Sequence, residues 1–397
     1  MTETVDNSKK QKISEEKKEK TEKKNRRNIK ILLGLVLLCA FGIGYYIYTN
    51  YKTYDSYSVE QTIKVQDTVE SSYDVFQENI IKYSKDGITL LDQDGKGIWS
   101  QSYNMKTPRI VKNNTYLVSV DIGGNQAYLF DKSGKVEEYT MPYPICDVDI
   151  SDQGVIAVIL EDSKANYIQL YDKEGTKIVD STMTIAQSGY PLDVALSKDA
   201  LRMAVSYVTI DGVDIKNTIA FYNFGSVGEN ANSNKYVGGF YYTDTIFPKV
   251  EFLNNSTVCA YGDSKAVLYT VKEKPNDDTI EIPFDTQIRS VFSSEDYIGF
   301  IRKNEKEIEK GKYIVDIYNT KGSSVLRKVI DMDYEKVKID GNDILLIGEY
   351  DCMILRLKGN EKFYGHFDSG ITDLIPLQKR HTYLAVGKNE LLIIKIK

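Results

Sequence analysis

The sequence predicts an all-β chain folded as a β-propeller, eight blades favoured and seven the alternative, preceded by a single transmembrane α-helix. Three observations predict it. Residues 31–51 carry no charge, a turn motif returns about every 40 residues beyond them, and long runs of 3.6-residue periodicity are missing after residue 57. The expected organisation is a charged cytoplasmic tail at 1–30, a signal-anchor helix at 31–51, a linker at 52–61 and an extracytoplasmic propeller at 62–397.

Charge sets the topology. Residues 1–30 hold eleven Lys or Arg against six acids, a net of +5, and the other residues hold 40 basic and 51 acidic side chains, a net of −11. Ile31–Tyr51 separates the two and gives roughly 31 Å of helix at about 1.5 Å per residue. That length matches a hydrocarbon core of about 30 Å. Arg26, Arg27 and Lys30 flank its start and Tyr45, Tyr46, Tyr48 and Tyr51 its end, so the positive-inside rule places residues 1–30 in the cytoplasm and the ring outside. Gly44-Tyr45-Tyr46-Ile47-Tyr48 offers no small-residue cleavage site, and Leu38 precedes Cys39 where lipoprotein processing wants a small residue. The expectation is an uncleaved single-pass anchor in the cell membrane, with the bilayer itself the partner of residues 31–51. Ala40 and Gly44 form a small-xxx-small pair of the type that packs helices. The tail lacks apolar periodicity and cannot bury enough surface to fold alone.

Beyond Tyr57 the repeated unit is two apolar residues, Asp or Asn, two variable residues, then Gly. Its copies are Leu90–Gly95, Leu129–Gly134, Leu170–Gly175 and Ile317–Gly322, with a decayed Leu355–Gly359 and a shortened Phe221–Gly225. The side chain of Asp or Asn caps a tight hairpin and Gly supplies a positive φ. The glycines fall at 95, 134, 175, 225, 322 and 359, so the long step from 225 to 322 spans two units with one motif lost. Apolar runs such as Val155–Ile159, Met203–Tyr207 and Ile344–Ile347 read as strands buried on both faces. The blades segment near 72–103, 108–140, 145–183, 191–242, 247–284, 287–331 and 334–367. Residues 371–397 supply three more strands, and Thr62–Val69 alternates as the fourth, which closes the ring and removes a sheet edge. Lys303–Lys312 reads as a long mixed-charge hairpin loop.

Leu90-Leu91-Asp92-Gln93-Asp94-Gly95-Lys96-Gly97-Ile98-Trp99 resembles the repeat of quinoprotein-type propellers, in which a hairpin leads to a Gly-x-Trp outer strand. The blades are also similar to WD-repeat-like propellers. The whole layout is similar to an uncharacterised family of membrane-anchored propellers of Gram-positive bacteria, which implies a cell-envelope protein. Quinoprotein rings use a docking Trp in most blades, whereas Trp99 is the only Trp here. A quinone-cofactor dehydrogenase of that type implies a vicinal Cys pair and a Ca²⁺ site. Cys146, Cys259 and Cys352 are more than ninety residues apart, so no cofactor and no metal is expected.

Few residues point to chemistry. Asp92-Gln93-Asp94-Gly95 opens like a calcium loop but lacks the further oxygen ligands. Asp147, Asp149 and Asp152 precede a strand at the mouth of a blade and are the candidate ligand-facing residues. His366 and His381 fit no triad, and no Gly-x-Ser-x-Gly elbow or Walker loop is present. The −11 beyond the tail argues against nucleic acid as a partner. The expected function is a non-catalytic binding or scaffold protein of the envelope, taking a protein or cell-wall partner. The alternatives are an enzyme working through Asp147 or Asp149 in the channel, and a ligand sensor signalling through the membrane helix.

Overall fold

A computed structural model of the chain describes residues 28, 30–65, 71–163, 165–184, 189–212, 214–231, 234–305, 310–388 and 390–397. The chain divides into two compact units, Met1–Thr53 and Tyr54–Lys397. In the first, helix α1 (Lys30–Tyr51) is long and apolar enough to cross a membrane. Most of the charged tail lies outside the described residues.

The second unit is all β, an eight-bladed propeller of four-stranded antiparallel sheets. The chain enters it through β1 (Tyr57–Lys64). Blade 1 comprises β2 (Ser72–Phe76), β3 (Asn79–Ser84), β4 (Gly87–Leu91) and β5 (Gly97–Ser102). Blade 2 comprises β6 (Pro108–Lys112), β7 (Leu117–Asp121), β8 (Gln126–Asp131) and β9 (Gly134–Thr140). Blade 3 comprises β10 (Ile145–Ile150), β11 (Ile156–Glu161), β12 (Ala165–Tyr171) and β13 (Lys177–Thr184). Blade 4 has β14 (Tyr190–Leu196), β15 (Arg202–Asp211), β16 (Asp214–Asn223) and β17 (Tyr236–Tyr242), with the short helix α2 (Ser226–Ala231) before its last strand. Blade 5 comprises β18 (Lys249–Asn254), β19 (Thr257–Tyr261), β20 (Lys265–Thr270) and β21 (Ile280–Pro283). Blade 6 comprises β22 (Ile288–Ser293), β23 (Tyr297–Lys303), β24 (Tyr313–Asn319) and β25 (Ser324–Ile330). Blade 7 comprises β26 (Lys336–Asp340), β27 (Asp343–Ile347), β28 (Asp351–Arg356) and β29 (Glu361–His366). Blade 8 takes β30 (Asp373–Pro376), β31 (Thr382–Val386) and β32 (Glu390–Ile396), and β1 completes it by pairing with β32.

The core sits between blades. Val158 and Leu160 of blade 3 pack with Val118 and Leu129 of blade 2, while Ala157 and Ile159, pointing the other way, pack with Val194 and Val205 of blade 4. This two-sided use of one strand explains the unbroken apolar runs. Eight such clusters join successive blades, and the eighth unites Ile80 of blade 1 with Ile375, Leu384 and Leu391 of blade 8. The ring is therefore closed by apolar contact as well as by strand pairing.

The repeated turn behaves as its residues require. Asp92 Oδ1 accepts the N–H groups of Asp94 (2.9 Å) and Lys96 (2.8 Å), and Asp172 Oδ1 accepts those of Glu174 and Thr176. A register shift sits in the strand just before each turn, at Leu90/Leu91 and Leu170/Tyr171, the bulge expected of such hairpins. Gly95 has φ 80°, and a Cβ there would lie 2.7 Å from Ile63 of β1. The glycine thus serves both the turn and the seam between blades 8 and 1. Gly322 repeats this against Ile280 of blade 5.

Two readings change. Phe221–Gly225 is not a shortened hairpin: Gly225 lacks a positive φ, Asn223 Oδ1 accepts its N–H, and α2 follows. The closing strand begins at Tyr57 and not Thr62, which takes half of the linker at 52–61 into the ring; 66–70 lie outside the described residues. The unit from 247 to 284 has four strands, as expected of the step that lost its motif, with a longer connection between β20 and β21 in the motif's place.

Trp99 docks as its motif implies. Its ring stacks on Phe130 of blade 2 at 5.1 Å and its Nε1–H donates to the Lys132 carbonyl at 3.3 Å. Replacing Trp99 by Phe should keep the stack and lose the hydrogen bond, costing about 1 kcal/mol. Trp99→Ala should cost about 3 kcal/mol. Urea melts followed by far-ultraviolet dichroism would measure both; equal costs would show that stacking contributes nothing.

Candidate functional site

The first strand of each blade lies innermost, and neighbouring first strands (β6 and β10, β10 and β14, β14 and β18, β22 and β26) contact one another. Their polar residues bring carboxylates, lysines and arginines onto the inner strands, and this inner set is the candidate site.

Asp147 lies in β10 just past a register shift at Ile145/Asp147, and Asp193 occupies the same place in β14 past the shift at Pro191/Asp193. Such bulges re-aim side chains. Asp147 is buried; its Oδ1 accepts from Arg109 Nη1 of blade 2 at 2.7 Å and its Oδ2 from the Val194 N–H of blade 4 at 3.3 Å. Asp149 Oδ2 accepts the Leu196 N–H at 2.7 Å, and Asp193 Oδ2 accepts the Val250 N–H of blade 5 at 2.7 Å. The pattern continues around the ring. Lys112 donates to Asp74 at 2.6 Å, Ser293 Oγ donates to Glu251 at 2.7 Å, Ser290 Oγ meets Tyr334 Oη at 2.9 Å, and Lys338 pairs with Asp373 at 2.5 Å. Each contact joins one blade to the next or, for Tyr334, to the segment leading into it, so polar and charged groups of the inner strands link neighbouring blades.

The structure brings Asp147 and Asp149 together on one strand but not Asp152. Asp152 lies in the turn beyond the far end of β10, where its N–H bonds the Lys198 carbonyl of blade 4. Asp193 is the partner that reading by motif missed. Its signal was a repeated pentapeptide, Asp147-Val148-Asp149-Ile150-Ser151 and Asp193-Val194-Ala195-Leu196-Ser197.

Crowded carboxyls resist ionisation. Desolvation first, then a hydrogen bond to Asp147 and its charge, hold Asp193 well above the ordinary carboxylate range. Asp149 is raised to about 6, chiefly by desolvation, against the opposing N–H bonds of Leu196 and Ile150. An acid whose folded pKa is raised binds its proton more tightly in the folded state. Its contribution to stability is therefore complete below about 3.8 and falls as pH rises through about 6. Asp149→Asn keeps an acceptor for Leu196 and removes the ionisation. It should be more stable than the parent at pH 7.5 by on the order of 1–3 kcal/mol, a gain that vanishes near pH 4. Urea titrations at the two pH values check this, and a gain independent of pH would contradict it.

The carboxylates already accept N–H or cationic donors, and among the described residues no group of three or more His, Cys, Asp or Glu is placed to hold a metal ion. Cys259 and Cys352 are buried free thiols; Cys146 donates to Glu161 at 3.3 Å and is pushed up to about 12, first by desolvation. His366 pairs with Asp351 at the surface while His381 meets Tyr54 Oη, in different blades.

The chain belongs to a family of unknown function (DUF5711), which matches residues 50–396. No curated protein matches it. Among solved structures it is similar to Sqt1 from Chaetomium thermophilum, with 12% identity and TM-score 0.55 over 86% of this chain and 100% of that one. It is also similar to BamB from Moraxella catarrhalis, with 11% identity and TM-score 0.50 over 86% and 100%. A third structure, Chaetomium thermophilum Sqt1 bound to the N-terminus of ribosomal protein L10, matches at 12% identity and TM-score 0.51 over 81% and 94%. At these identities the likeness is one of fold.

Proposed function

We propose that the chain is a non-catalytic, membrane-anchored ring that binds a protein or cell-wall partner of the cell envelope. Residues 1–30 lie in the cytoplasm, α1 crosses the bilayer and the ring stands outside. The observation that carries this reading is the commitment of the axial charges. Asp147, Asp149 and Asp193 are spent on N–H groups of the next blade, which leaves the loops of the two faces for recognition. The ability of a propeller of similar fold to hold a peptide, as Sqt1 holds the N-terminus of L10, supports it. The apolar, uncharged α1 and the basic residues before it support the anchoring.

Chemical cross-linking of the full-length protein in its native membranes tests the reading. The expected result is one defined envelope protein or glycan, recovered equally from the parent and from Asp149→Asn. Recovery of nothing, with a turnover that Asp147→Asn abolishes, would favour an enzyme working in the channel.

A further inference from the structure

We infer that the outer end of the β15–β16 hairpin is a docking shelf for a polypeptide segment that is both apolar and cationic. This rests on the binding reading above and names the surface and the chemistry of the partner.

β15 and β16 are ten residues each, whereas the other second and third strands of the ring have five to seven. The added length projects. β16 pairs with β17 only as far as Asn217↔Tyr242, so Asp214, Ile215 and Lys216 extend past the end of β17. Strands alternate their side chains, and Ile210 and Ile215 are direct cross-strand partners. They share a side with Ser206 and Asn217, which bond the Phe247 carbonyl (2.6 Å) and N–H (2.6 Å) where the chain passes to blade 5. Both isoleucines therefore face blade 5. Ile210 is 71% exposed, the highest value of any large apolar side chain of the ring among the described residues, and Ile215 is 45% exposed. Ile246, 38% exposed, lies on the segment leading into that blade.

The surrounding charge selects the occupant. Asp214, Asp244 and Asp263 are exposed: Asp214 is at the hairpin end, Asp244 is two residues before Ile246, and Asp263 adjoins Ser264, whose hydroxyl meets that of Thr245 at 3.1 Å. The cations beside it are engaged: Lys265 bridges Asp244 (2.9 Å) and Glu281 (3.3 Å), and Lys216 lies over the Tyr241 ring at 3.9 Å on the opposite side of the hairpin. An apolar step rimmed by carboxylates complements apolar side chains flanked by Lys or Arg, and repels anionic lipid headgroups. The antiparallel meander puts this hairpin on the face opposite the Asp-x-x-Gly turns. Tyr54 joins the ring on the turn side, bonding Lys362 just after the blade 7 turn, so the shelf faces away from the point where the chain enters the ring.

The test uses the full-length protein in zwitterionic nanodiscs and fluorescein-labelled (Lys-Val)₄, (Lys-Ser)₄ and (Glu-Val)₄ peptides, with anisotropy read at physiological salt. (Lys-Val)₄ should bind at least tenfold tighter than either control. I210S/I215S should reduce it to the level of (Lys-Ser)₄, and D214K/D244K should weaken it while improving (Glu-Val)₄. Both sets change exposed residues, and an unchanged melting temperature verifies the fold. Equal binding of the three peptides, or a variant that binds like the parent, overturns the shelf. So does binding of phosphatidylglycerol vesicles that I210S/I215S abolishes, which would assign it to lipid. A cross-linked partner that maps to the turn side, with no peptide on the shelf, overturns this assignment and leaves the binding reading standing.

Discussion

Removing residues 57–64 from the chain is expected to abolish cooperative unfolding of the ring. β1 pairs with β32 from Tyr57↔Ile396 to Lys64↔Glu390, joining segments more than 300 positions apart. Its loss leaves β32 as an unpaired edge over the buried Leu391, Ile393, Ile394 and Ile396, and removes Ile63 from the seam with Gly95. Blade 8 then has three strands, and two inter-blade clusters lose a wall. The measurement is scanning calorimetry of the chain with and without these residues. A fall in melting temperature of more than about 10 °C, or no transition at all, is the expected result. An unchanged transition would mean that the ring does not depend on its first strand.

The second large effect lies in blade 6. Asp316 is 1% exposed and accepts from Arg302 Nε at 2.8 Å and Arg327 Nε at 2.6 Å, while Arg302 is itself 3% exposed. Asp316→Ala leaves a buried guanidinium whose remaining carboxylate, Asp285, is at the rim. The expected cost is about 3–5 kcal/mol, the range for breaking one side of a buried ion pair. Asp285→Ala removes a half-exposed partner and should cost about 1 kcal/mol or less. Urea unfolding of both variants gives the comparison, and similar costs would contradict a burial-dependent account.

Much of the fold was legible because its determinants are local. The Asp-x-x-Gly turn sets a hairpin by its own side chain and φ, so Asp92, Asp172 and Asn319 mark blades wherever they occur. Strands buried on both faces show as apolar runs, so Val155–Ile159 needs no partner to be recognised. Phe221–Gly225 misled because the shared letters hide a different geometry: Asn223 caps a helical turn there, and α2 replaces the hairpin. The docking role of Gly95 and Gly322 was invisible, since it depends on which side chain of the preceding blade arrives against them. The candidate site was half legible. Asp147 and Asp149 stood out as carboxylates beside an apolar strand, but their bonds to Val194 and Leu196 link residues 47 positions apart. No local pattern encodes that pairing, and Asp152 looked equivalent only because it is near in sequence.

Closure of the ring by β1 underlies its stability, the placement of the shelf and the reading of the channel alike, and one cross-link tests it directly. Ser58 and Lys395 are register partners on β1 and β32, and neither is in the core. A cysteine at each, S58C/K395C, should form a disulfide under mild oxidation, because directly opposed strand residues fall within the Cα separation of about 4.4–6.8 Å that the bond requires. Closure predicts loss of two thiols by mass spectrometry, faster migration on a non-reducing gel and a raised melting temperature, with neither single variant behaving so. Two thiols that stay reduced in the folded protein would contradict it.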